Sequence, residues 1–105
     1  MDILFVYVTF ESAQQARDIS GKIVKARLAA CANIFPAHES LYWWDGEVQS
    51  ASETAVIFKT TQNRFTDLKA EIIKLHSYDC PCIVALPVKE GHTPFLEWIK
   101  DNTQA

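Results

Sequence analysis

The fold is decided by the stretch Ser40-Leu41-Tyr42-Trp43-Trp44-Asp45-Gly46, which follows the small-residue run Ala29-Ala30-Cys31-Ala32-Asn33. Asp-Gly between two strand-like runs predicts a type I′ hairpin turn, because both central positions of that turn need a positive φ. Aromatic side chains bury roughly 150–250 Å² each, so three of them on one hairpin exceed what a monomer usually leaves exposed. The hairpin therefore predicts a partner, and we expect that partner to be another copy of the chain.

The strands around this hairpin are marked by apolar runs. Residues 3–9 predict a central strand that is covered on both faces. A second strand is expected from about residue 30 to Trp44, with a bend at Pro36, because proline cannot donate to a strand ladder. The third strand is expected over residues 47–60 and the fourth over residues 82–88.

Three helices complete the prediction. The first follows Ser12, and Gln15 stands where a capping box needs it. The second carries an apolar stripe over residues 65–75, and the third begins at Thr93-Pro94, read as an N-cap and a first-turn proline. The order β-α-β-β-α-β-α predicts an α+β, ferredoxin-like βαββαβ sandwich with an extra C-terminal helix, an antiparallel sheet and a long hairpin between its second and third strands.

The length and composition of the chain exclude several classes of protein. A chain of 105 residues fits a single domain, 1–105. The net charge of −3 argues against a nucleic-acid surface, and the apolar opening is too short to span a membrane. Three cysteines are too few for a disulfide framework, which favours reduced thiols and a cytoplasmic location. No catalytic triad or glycine-rich phosphate loop is visible, so we expect neither an enzyme nor an organic cofactor.

Potential metal ligands are concentrated in residues 76–82. His76, Cys80 and Cys82 offer an imidazole and two thiols, a donor set that favours Cu(I) or Zn. An extended backbone would turn Cys80 and Cys82 to the same side. Two plainer interpretations remain open: Cys82 is a small core residue of a strand, and His76 caps the end of the second helix.

A second set of candidates lies on the strands. Glu53 and Lys59 are six residues apart in one strand and so share a face. Lys59 stands among apolar residues, where we expect it to pair with a carboxylate, as a plain structural ion pair, or to meet a ligand anion. Cys31 lies in a small apolar run at a strand entry, which favours a core position over a ligand position.

Taken together, the motifs resemble the CutA divalent-cation-tolerance family over nearly the whole chain. The matching segments are Arg27-Leu28-Ala29-Ala30-Cys31 with Asn33, Ser40 with Tyr42, Trp44 and Gly46, Lys59-Thr60-Thr61, His76 with Tyr78 and Pro81, Leu86-Pro87-Val88, Gly91, and Phe95-Leu96 with Trp98.

The resemblance implies a homotrimer in which the hairpin reaches a neighbouring subunit, with an architecture similar to that of the PII signalling proteins. It also implies copper binding and tolerance to divalent cations. A PII-like trimeric module for a small ligand or protein partner is the alternative. The resemblance places one group of binding residues near a subunit boundary: Cys31, Asn33, Glu53, Lys59, His76 and Tyr78.

The chain departs from the family pattern at the proposed copper ligands. Where the family pattern has a cysteine and two adjacent histidines, this chain has Val8, Leu75 and His76, so one of the three ligands remains; Ser77 stands where a proline is expected. Because His76 alone cannot hold a metal tightly, we expect Cys80 and Cys82 to supplement it and to favour Cu(I) over Mg²⁺ or Ca²⁺.

Overall fold

Five strands and three helices make up residues 2–104, which the computed structural model describes. In chain order they are β1 (Ile3–Phe10), α1 (Ala13–Lys25), β2 (Cys31–Ile34), β3 (His38–Trp44), β4 (Glu47–Thr61), α2 (Gln62–Leu75), β5 (Ile83–Pro87) and α3 (Thr93–Asp101). The predicted α+β sandwich with an added C-terminal helix is confirmed. The predicted second strand is divided into β2 and β3 by residues 35–37, which include Pro36.

The strands form an antiparallel sheet in the order β2-β4-β1-β5, and β3 pairs with β4 beyond the end of β2. Strand β4 is 15 residues long and serves both parts. Its second half pairs with β1 and β2, while its first half pairs with β3 from Trp44↔Glu47 to His38↔Glu53. The hairpin is therefore a direct extension of the central sheet.

The hairpin turn has the predicted type I′ character. Asp45 has a φ of 53° and Gly46 a φ of 78°, so both central residues occupy the left-handed region. Aspartate tolerates that region through its short polar side chain, and glycine enters it without steric cost.

The main core lies between one face of the sheet and helices α1 and α2. It contains alternate residues of β1 and β4 and the apolar stripes of both helices: Leu4, Val6, Val8, Phe10, Ala16, Ile19, Ile23, Val56, Phe58, Leu68 and Ile72. The opposite face is only partly covered, since α3 packs against β1 and β4 there. Phe5 and Tyr7 are half-buried on it, so in the single chain β1 is covered fully on one face and partly on the other.

Two helix starts show how local chemistry sets the boundaries. The Ser12 hydroxyl accepts a hydrogen bond from the Gln15 backbone N–H at 3.1 Å, which confirms the predicted N-cap of α1. The Gln15 side chain accepts from the Glu11 backbone N–H rather than from Ser12. Helix α3 has His92 as its N-cap and Pro94 in its first turn, so the prediction of Thr93 as the cap is wrong by one residue.

Candidate functional site

A cleft of about 690 Å³ lies beside the β3–β4 hairpin, and we call it the hairpin cleft. It is bounded by the end of β1, one face of the hairpin and the loop before β5. Its lining residues are Thr9, Glu11, Tyr42, Trp44, Ala51, Glu53, Ser77, Tyr78, Asp79, Cys80 and Cys82. The volume falls within the range of small-molecule sites.

Strand alternation explains how the hairpin supplies the aromatic wall. Tyr42 and Trp44 are two residues apart in β3, so both side chains leave the same face. The register places Ser40 opposite Ala51 and His38 opposite Glu53, which brings these β4 residues onto that face as well. Leu41 and Trp43 project from the other face, which we call the outer face of the hairpin.

The polar centre of the cleft is the pair formed by Glu53 and Tyr78. The Tyr78 hydroxyl donates a hydrogen bond to Glu53 Oε2 at 2.7 Å. Partial burial acts to raise the pKa of Glu53, but the hydroxyls of Ser40, Tyr78 and Thr9 and the nearby His38 outweigh it and lower that pKa. Glu53 is therefore a carboxylate at neutral pH.

The pairing of Glu53 with Tyr78 also determines the protonation state of the Tyr78 phenol. Partial burial, followed by the hydrogen bond to Glu53 and the negative charge of that carboxylate, raises the pKa of Tyr78 well above its ordinary value. Tyr78 therefore stays protonated at neutral pH and acts as a hydrogen-bond donor to Glu53.

Both ring nitrogens of His76 are engaged with the protein. The Tyr78 backbone N–H donates to Nδ1 at 3.0 Å, so the ring proton lies on Nε2, which donates to the Thr9 carbonyl at 2.7 Å. The ring also stacks on Phe10, with centroids 4.9 Å apart. In this arrangement His76 fixes the loop onto β1, and it offers a metal no free lone pair unless one of these hydrogen bonds breaks.

The thiols of Cys80 and Cys82 both line the cleft. Burial, and then the negative charge of Glu53, raises the pKa of the Cys82 thiol. Within residues 2–104, no group of three or more histidine, cysteine or acidic side chains is arranged to hold a metal ion. The predicted set of His76, Cys80 and Cys82 therefore does not fit a preformed three-ligand copper centre.

The remaining predicted residues form a second group, away from the cleft. Cys31 pairs with Lys59 across β2 and β4, and Asn33 pairs with Ile57. The Lys59 Nζ lies 5.2 Å from the ring centroid of Phe5 and 5.2 Å from that of Phe95. Lys59 thus contacts aromatic rings where the sequence predicted a carboxylate or an anion.

The two groups do not meet within the single chain. Glu53 and Lys59 share one face of β4, but six residues of strand separate their Cα atoms by roughly 20 Å. Burial raises the pKa of the Cys31 thiol, an effect that the positive charge of Lys59 partly offsets. Convergence of the two groups at a subunit boundary stays a prediction about the assembly.

Sequence reasoning missed part of the cleft. Thr9, Glu11 and Asp79 were not singled out, although Glu11 directly follows β1 and Asp79 lies inside the segment already chosen for its donors. Tyr42 and Trp44 were assigned to a partner and not to a cleft. Their shared parity with Glu53 across the hairpin was the signal that could have found them.

Residues 4–102 match the family described as CutA1 divalent ion tolerance protein. The chain belongs to the CutA1 family. The divalent-cation tolerance protein CutA of Archaeoglobus fulgidus is 39% identical over 95% of this chain and 97% of its own length, and that of Thermus thermophilus is 44% identical over 93% and 95%.

Solved CutA1 structures share the whole fold. The Thermus thermophilus protein superposes with a TM-score of 0.95 at 42% identity, covering 97% of this chain and 99% of that one. CutA1 from Oryza sativa superposes with a TM-score of 0.96 at 38% identity, covering 99% and 95%. These matches support the divalent-cation tolerance family and do not favour the PII-like alternative.

The cellular compartments of the relatives differ. The Archaeoglobus fulgidus structure is described as periplasmic, and the rice relative, of whose length this chain spans 57%, is named chloroplastic. No helix within residues 2–104 is long and apolar enough to cross a membrane. A cytoplasmic location for this CutA1 family member stays a prediction.

Proposed function

We propose that this protein acts in divalent-cation tolerance as a homotrimer that binds copper as Cu(I) through the thiols beside the hairpin cleft. Family membership supports the role in cation tolerance, and the resemblance in sequence supports an assembly of three subunits. The observation that carries the assembly is the amount of apolar surface that the single chain leaves in water.

That surface is concentrated on the hairpin and on the face that α3 covers in part. Leu41 is 70% exposed and Trp43 is 75% exposed on the outer face of the hairpin, while Val84 and Leu86 are 48% and 56% exposed on β5. Monomers rarely expose contiguous apolar patches of more than a few hundred Å². In a cyclic trimer each copy would cover such a patch with a different, complementary patch of its neighbour.

Trp43→Ala tests the assembly. Because fully burying one large apolar side chain contributes roughly 1.5–3 kcal/mol, we expect the variant to dissociate at a markedly higher protein concentration than the parent. Light scattering over a dilution series measures this directly. A parent protein that is a monodisperse monomer at micromolar concentration would refute the homotrimer.

For copper, the residues to consider are Cys80 and Cys82, because His76 is engaged in two hydrogen bonds. Soft thiolates favour Cu(I), and thiolate ligation releases protons. Since burial raises the pKa of the Cys82 thiol, copper affinity should fall as the pH is lowered.

The Cys80→Ser/Cys82→Ser double variant tests this proposal, with Cys31→Ser as the matched control. We expect the double variant to lose Cu(I) binding, measured by competition with a chromophoric chelator under reducing conditions, and to keep its assembly. The control should bind copper as the parent does. Copper binding by the double variant at the parent's affinity would show that the thiols are not the ligands.

A further inference from the structure

We propose that the hairpin cleft is a binding site for an organic ammonium cation, held between the aromatic side chains of the hairpin and the carboxylates at the cleft wall. The proposal goes beyond the function proposed above, because it requires neither copper nor a particular number of subunits.

The charge of the cleft is of one sign. Glu11, Glu53 and Asp79 are the charged side chains that line it, and no lysine or arginine is among the lining residues. Glu53 carries a firm negative charge, since the Tyr78 hydroxyl donates to it at 2.7 Å. The cleft therefore attracts a cation and repels phosphates and carboxylates.

The aromatic walls identify the kind of cation. Tyr42, Trp44 and Tyr78 all line the same cleft, and in the single chain the first two are 41% and 57% exposed, so a ligand can reach them there. Aromatic faces attract cations, and sites built from several rings recognise quaternary ammonium groups. An organic ammonium cation can therefore contact the aromatic rings and the carboxylates of the cleft at the same time.

A bare metal ion uses these features poorly. Hard cations need several oxygen ligands that converge on one point, and soft cations need thiolates or free imidazoles. Within the described residues no group of three or more such donors is arranged, both nitrogens of His76 are engaged, and a metal on Cys80 and Cys82 would leave the aromatic rings unused. The volume of about 690 Å³ also far exceeds what a single ion requires.

The test uses choline as the probe and its neutral carbon isostere, in which tert-butyl replaces trimethylammonium. Isothermal titration calorimetry at constant ionic strength compares the two on the purified protein, with sodium chloride as the salt control. We expect choline to bind about tenfold more tightly than the isostere, because the isostere keeps the shape and lacks the charge. Equal affinity for the two compounds, or no choline binding at all, overturns the proposal.

Matched variants locate the site. Glu53→Gln should weaken choline binding about tenfold and Trp44→Leu about fivefold. Glu39→Gln, the same change on an exposed residue of β3 outside the cleft, and Trp43→Leu, on the outer face, should leave it unchanged. Weakening by the controls equal to that of the cleft variants overturns the proposal.

The outcome is independent of copper and of assembly. Choline should bind the parent with an affinity that agrees within about twofold in the presence and absence of a Cu(I) chelator, because the rings and Glu53 are the same in both samples. Light scattering on the same samples reports the assembly separately. Loss of choline binding when copper is chelated, with assembly retained, would assign the calorimetric signal to copper and overturn the proposal.

Discussion

Removing a single oxygen atom from the hairpin cleft tests how the loop before β5 is held. Tyr78→Phe deletes the hydroxyl that donates to Glu53 Oε2 at 2.7 Å and keeps the ring that lines the cleft. The Tyr78 backbone N–H still donates to His76 Nδ1 at 3.0 Å in the variant, so His76 should keep its orientation. The change therefore isolates one hydrogen bond between the loop and β4.

The magnitude follows from the charge and exposure of the two partners. A hydrogen bond to a charged group contributes roughly 1.5–3 kcal/mol to stability. Both residues are half-buried, and solvent screening reduces the value to about 1 kcal/mol. A double-mutant cycle of Tyr78→Phe with Glu53→Ala should return this coupling energy, since each single change removes the same bond.

The assay is urea unfolding of the four proteins at one fixed protein concentration. The pKa of Glu53 is lowered in the folded state, so its stabilisation is present above the unfolded pKa of about 4.3 and is lost as the pH falls through the folded value. The coupling measured at neutral pH should therefore decline in acid. Tyr7→Phe is the control, because its hydroxyl lies outside this pair. A coupling energy indistinguishable from zero at neutral pH refutes the reasoning.

Three further changes probe the fold, and an alkaline titration with Tyr78→Phe probes the phenol. Gly21→Ala should stabilise the protein by about 1 kcal/mol, because the added Cβ lies in a helix and meets no atom within 4 Å. Gly46→Ala should destabilise the protein by about 1 kcal/mol, because Gly46 has a φ of +78°. Thermal unfolding at matched protein concentration measures both changes in stability. Thr60→Val should cost about 1–2 kcal/mol in urea unfolding, because it removes a buried 2.7 Å bond to the Leu28 carbonyl. In an alkaline absorbance titration one phenol should resist ionisation past the ordinary tyrosine pKa of about 10, and Tyr78→Phe should remove that component. Because the pKa of Tyr78 is raised in the folded state, the stability that Tyr78 contributes is lost only as the pH rises beyond that ordinary value.

Much of the fold could be predicted because local rules and tertiary packing agree. Asp45-Gly46 demands positive φ at both positions, and the hairpin adopts it. Pro36 interrupts the strand as expected, since it has no N–H for the ladder. The start of α3 was misplaced by one residue because Thr93, a residue often found as a cap, is already helical and His92 precedes it.

The candidate site was less predictable, because strand parity gives a face and not a distance. Glu53 and Lys59 share a face of β4, yet the structure brings Tyr78 to Glu53 and aromatic rings to Lys59. The position of the loop over residues 76–82 decides this, and it depends on how His76 docks onto the Thr9 carbonyl. No periodic pattern in the sequence encodes that contact.

Strand β4 also limits where residues can be inserted into this chain during evolution. It holds fixed registers with β1, β2 and β3 along its 15 residues, so an insertion of one residue in its middle would turn every later side chain to the wrong face. An insertion at Asp45-Gly46 can be absorbed by a longer hairpin loop, and one within residues 35–37 lies between β2 and β3, so neither would lengthen β4. Length variation among functional descendants is therefore expected at those two places, and β4 should keep its number of residues.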